Sequence, residues 1–115
     1  MPRDITILSP HGVDALDLAT AARTVDESLG VREIDGGAAF QVFGGSGEAV
    51  LTVFGSEQVT VAGEIERLLP DPPALGLPVW WVDAVAPHGA EGEQGVSVAL
   101  HLALGLDAVC IVEDD

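Results

Sequence analysis

Hydrophobic positions along this chain alternate between short runs and helical stripes. Ile5-Thr6-Ile7-Leu8 is a run that predicts a largely buried first strand. Ala15, Leu18, Ala22, Val25 and Leu29 then recur at steps of three and four and predict the clearest helix. Asp14 and Asp17 lie near its positive N-terminal end, and Gly30 is the expected stop. The start falls at Ser9-Pro10 or slightly later, between Gly12 and Asp14, because Ser9 and Asp14 can both cap. Val31 to Asp35 predicts a short second strand that Gly36-Gly37 breaks.

The residues around Phe40 and Val42, and those from Ala49 to Phe54, predict a hairpin closed by Gly44-Gly45-Ser46-Gly47, which supplies positive φ without steric cost. Ala49, Leu51 and Val53 share one face of its second strand and Val50, Thr52 and Phe54 the other, so both faces are expected to be covered. Val61, Ile65, Leu68 and Leu69 form a second helical stripe, starting between Ser56 and Thr60, weakened by Gly63 and ended by Pro70. Pro70 to Pro78 reads as an ordered connector. Val79 to Val85 predicts a strand, Pro87 to Gly95 a loop, Val96 to Leu106 a third helix and Ala108 to Val112 a final strand.

This order predicts an α+β fold in a single domain over residues 1–115. The expected architecture is a mixed sheet of four to five strands with about three helices packed against it. It forms a two-layer sandwich, with three layers as the alternative. Ile7, Leu18, Ala22, Val25, Leu51, Val53, Leu68, Leu100, Leu104 and Ile111 are the expected core.

Charge changes the picture most. Nineteen acidic residues stand against four arginines, with no lysine, for a formal charge of −15 on 115 residues. Such a field repels phosphate backbones and anionic membranes and attracts basic surfaces. Nucleic-acid binding is disfavoured, and a P-loop or Schiff-base lysine is excluded. General solubility or salt adaptation in a GC-rich, bacterial genome would explain the same charge. The hydrophobic fraction of 48% argues against disorder. One cysteine, Cys110, precludes an intramolecular disulfide, and no apolar run approaches a membrane span or a signal-peptide core. A cytoplasmic location is expected.

Few residues suggest chemistry. Gly44-Gly45-Ser46-Gly47 is followed by Glu48 and a strand, which fits neither a phosphate loop nor a nucleophile elbow. His101 shares a helical stripe with Gln94 and Ser97, where a hydrogen-bonded structural histidine is the simpler reading than a general base. Cys110 sits in an apolar strand and reads as a small hydrophobe. Trp80 and Trp81 point to opposite faces of their strand, one into the core and one under a second layer or at a partner surface. Asp83, His88, Glu91 and Glu93 follow on that strand and its loop; as imidazole and carboxylates they could form a small enzymatic or metal-dependent site, although nothing in the spacing fixes ligand geometry. No cofactor or tightly held metal is expected.

The leading expectation is therefore a non-catalytic acidic binding protein that neutralises or docks onto a basic protein. Trp81, Asp83, His88, Glu91 and Glu93 are the candidate contact residues, and Asp14, Asp17, Glu64 and Glu66 are further exposed acids. In character this is similar to bacterial immunity proteins, which block a toxin. The tail from Leu102 to Asp115, a helix running through Leu104-Gly105-Leu106 into an apolar strand and terminal acids, resembles tails of such proteins over about fourteen residues. The alternatives are the Asp83-His88-Glu91-Glu93 site and an accessory subunit that self-associates, as a homodimer, through an unpaired sheet edge.

Overall fold

The computed structural model describes residues 3–59 and 79–113. Strand β1 (Arg3–Ser9) leads into helix α1 (Ala15–Val25) and a meander of β2 (Gly30–Ile34), β3 (Ala39–Phe43) and β4 (Ala49–Phe54). A three-residue 3-10 turn, Asp35–Gly37, separates β2 from β3. The short β5 (Glu57–Val59), then β6 (Val79–Ala86), helix α2 (Ala90–Leu106) and β7 (Val109–Glu113) complete the order. The second helix expected at Val61–Leu69, the Pro70–Pro78 connector, the core position Leu68 and the acids Glu64 and Glu66 lie outside the described residues.

The α+β class is as expected, with differences in detail. The sheet has seven strands rather than four or five, in the order β2-β3-β4-β6-β1-β7, with β5 also pairing β6. Every pairing is antiparallel, so the sheet is not mixed. The reason is strand order. The crossover through α2 joins β6 to β7, which run the same way, but β1 lies between them and runs opposite to both. Helical crossovers predict a mixed sheet only when they join neighbours. Two helices are present among the described residues.

Local chemistry explains the first helix. Asp14 caps it through a capping box: its carboxylate accepts from the Asp17 backbone N–H at 2.8 Å, and the Asp17 carboxylate accepts from the Asp14 N–H at 3.2 Å. The later of the two expected starts is the one used. The helix ends at Val25, earlier than Gly30. Asp26 closes it by turning its carboxylate onto the Ser28 N–H and hydroxyl, and these hydrogen bonds hold the Asp26 pKa below its ordinary value. Leu29 is still buried, but from the turn.

Both helices pack on one face of the sheet and against each other. The core between them includes Ile5, Ile7, Leu18, Ala22, Leu51, Val53, Val82, Val98 and Leu102. Expected core residues Val25 and Ile111 are only partly buried. Leu100 and Leu104, also placed in the core by sequence, are 49% and 80% exposed. The buried face of α2 is instead Gly92, Gly95, Val98, Ala99, Leu102 and Ala103. A Cβ at Gly92 would run into the Pro87 carbonyl, and one at Gly95 into the Val50 carbonyl. Closeness decided which side of α2 faces the sheet, and bulk did not.

Two irregularities shape the middle of the sheet. Val42 pairs with Leu51 and Phe43 with Ala49, which leaves Val50 as an unpaired extra residue. The bulge turns Val50 into the core together with Leu51 and Val53, so the expected alternation of β4 breaks there. The second irregularity lies between β4 and β5. Val53 pairs with Ala84 and Glu57 with Trp81, so Phe54, Gly55 and Ser56 face only Val82 and Asp83.

The face away from the helices carries a smaller apolar cluster of Leu8, Val59 and Val79, with Trp81, Val109 and Ile111 packed against it. Asp4 and Glu113 are register partners on β1 and β7, next to the apolar rows of this face.

Replacing Gly95 by Leu is expected to prevent cooperative folding or cost more than about 3 kcal/mol, because helix and sheet backbones must separate. Leu18→Ala should cost about 2–5 kcal/mol and Leu100→Ala less than about 0.5 kcal/mol, both read from urea denaturation midpoints. Asp107 ends α2 in the left-handed region at φ 55°. Asp107→Gly should therefore stabilise by about 0.5–1 kcal/mol in the same assay.

Candidate functional site

The structure splits the five candidate contact residues into two places. Trp81 and Asp83 stand two apart on β6 and so share the face away from the helices. The Trp81 indole Nε1–H donates to Asp83 Oδ1 at 2.9 Å. His88 is exposed in the turn before α2. Glu91 and Glu93 were expected in a loop but belong to the first turn of α2, where the helix dipole favours them. Glu93 is paired with Arg3 at 2.8 Å. The Asp83-His88-Glu91-Glu93 grouping does not converge: among the described residues no three His, Cys, Asp or Glu side chains are placed to hold a metal ion.

What Trp81 and Asp83 do meet is the second irregularity. With three residues of one strand bowed against two of the other, the sheet opens into a shallow depression lined by Phe54, Gly55, Ser56, Glu57, Trp81 and Asp83. Phe54 is 44% exposed there, an unusual setting for a phenylalanine, and Glu57 and Asp83 are both exposed. The tie to Asp83 fixes the orientation of the Trp81 ring. The depression therefore offers two aromatic side chains and two carboxylates on a strand scaffold.

Sequence reading missed Phe54 and Glu57. Phe54 looked like the covered end of a strand, and Ser56 onward like a helix start. The only signal was Gly55, a break inside what is in space one long, bent strand.

The same face carries a second ordered row. Arg32, Gln41 and Thr52 are register neighbours on β2, β3 and β4. The Arg32 guanidinium donates to Gln41 Oε1 at 2.8 and 3.0 Å and to the Gly47 carbonyl at 3.1 Å. It lies 4.7 Å from the centre of the Phe43 ring, within the range of a cation–π contact. Trp80 points the other way, and its ring lies in van der Waals reach of Gly12 in the loop before α1.

Neither remaining candidate supports nucleophilic catalysis. His101 Nδ1 lies 2.9 Å from the Ser97 carbonyl, which can only accept, so that nitrogen carries the proton and the ring is engaged within its own helix. Burial raises the Cys110 pKa, which lowers its thiolate fraction at neutral pH. Iodoacetamide should accordingly modify Cys110 much more slowly in the folded protein than after urea unfolding, as read by intact mass. No helix among the described residues is long and apolar enough to cross a membrane.

Compared with protein-family models, curated proteins and solved structures, the chain matches none.

Proposed function

We propose that this chain is a non-catalytic acidic binding protein of the cytoplasm that docks onto a basic protein, in the manner of an inhibitor or immunity protein. The observation that carries the reading is the depression at Phe54, Glu57, Trp81 and Asp83. Exposed aromatic area beside carboxylates is the composition of a contact surface for cationic side chains. The charge of −15 supplies the long-range half of the same task. In this reading Trp81 and Asp83 belong to the contact. His88, Glu91 and Glu93, at the start of α2, lie outside the depression, and the two glutamates add to the long-range field. Self-association is disfavoured by the same charge, since two copies would bring −15 against −15.

Isolation of the partner from the native organism, followed by stopped-flow association, tests this. The association rate should fall steeply as salt shortens the Debye length from ~10 Å at 0.1 M to ~3 Å at 1 M, while dissociation changes little. Glu57→Arg with Asp83→Arg should slow association and speed dissociation, whereas Glu91→Arg should affect association alone. A partner that is acidic or neutral, or an association rate flat in salt, would overturn the proposal and leave the charge to solubility.

A further inference from the structure

Resting on that docking role, we propose that the depression is a socket for a single arginine side chain of the partner. The lining argues for a cation first. Among the described residues, its side-chain groups without a fixed partner are the Glu57 carboxylate, the second carboxylate oxygen of Asp83 and the ring of Phe54. Asp83 spends one oxygen on the Trp81 indole, at 2.9 Å, and its other oxygen can accept from a ligand. A ligand for such a place must donate hydrogen bonds, carry positive charge and tolerate an aromatic surface.

The aromatic surface then argues for guanidinium over ammonium. Guanidinium is planar and weakly hydrated, stacks on ring faces and presents its donors in a fixed fork. Glu57 and Asp83 reach the depression from two strands, β5 and β6, so a forked donor can address both while its plane rests on the exposed Phe54 ring. The molecule already shows this chemistry once on the same face: Arg32 lies over Phe43 with Gln41 Oε1 and the Gly47 carbonyl accepting at its edge. None of the described arginines serves the depression. Arg3 pairs with Glu93, Arg32 is on Phe43, and Arg23 is on α1 in the other layer. A second copy brings the same few cations with the same excess of acid, so the guanidinium comes from a different, basic protein.

Blocked hexa-arginine and hexa-lysine peptides, titrated into the ¹⁵N-labelled full chain at moderate salt, test the socket. The arginine peptide should shift the Trp81 indole signal and bind about two- to fivefold tighter than the lysine peptide, the size of one surface cation–π contact. Phe54→Ala should abolish that preference. Asp83→Asn keeps an acceptor for the indole, so it should weaken both peptides with the Trp81 signal still dispersed; Glu91→Gln should leave the arginine preference unchanged. Equal affinity for the two peptides, with Trp81 still shifting, overturns the arginine assignment and leaves docking onto a basic protein standing. A Trp81 signal unmoved by both peptides overturns the socket itself, and the salt dependence of association with the native partner then decides the docking role separately.

Discussion

The approach of α2 to the sheet is the constraint on which the rest depends. Gly95 lies directly over the Val50 carbonyl of β4, and Gly92 against the Pro87 carbonyl of the turn that leads into the helix, where no side chain fits. Glycine inside a helix costs roughly 1 kcal/mol relative to alanine, and two occur within one turn. That cost is offset by what the short distance permits. Val98 and Leu102 are driven into the sheet, and Ala99 and Ala103 are buried beside them. The bulge at Val50 belongs to the same arrangement, since it sets the carbonyl over which Gly95 sits. With both described helices committed to one face, Trp81 and Asp83 of β6 point to the other, where Asp83 is exposed and Trp81 half-buried.

Much of this architecture is legible in the sequence, and the failures have physical causes. Period-two and period-3.6 patterns locate β1, α1, the β3–β4 hairpin, β6 and β7 because each buries a regular set of positions. The beginning of α2 is not legible by the same means. Gly92 and Gly95 are poor helix formers, and only the tertiary contact that requires them reveals their role. Leu100 and Leu104 mislead for the converse reason, since bulk indicates burial only where there is room for it. The β5 strand is three residues long and mostly polar, with nothing periodic to detect. Strand order, and with it the antiparallel character of the sheet, depends on pairings no local pattern encodes.

The candidate site divides along the same line. That Trp81 and Asp83 share a face follows from their spacing on a strand. That Phe54 and Glu57 join them does not, because it depends on three residues bowing against two. His88, Glu91 and Glu93 are near in sequence yet sit in the other layer. Acidic residues are spread over every part of the described surface, so charge alone distinguishes no location. What distinguishes one place is exposed aromatic area, and the irregularity of the strand is its cause.

Asp4 and Glu113 face each other across β1 and β7. Like charges in directly opposed positions of an antiparallel pair repel. Among the described residues β7 pairs only with β1, so this repulsion sits at a seam held from one side. Dissolved electrolyte weakens the repulsion before it reaches any buried contact. The terminal hem of this molecule is thereby tuned to the ionic composition of its surroundings. A dilute medium is thus expected to loosen this edge and a briny one to tighten it.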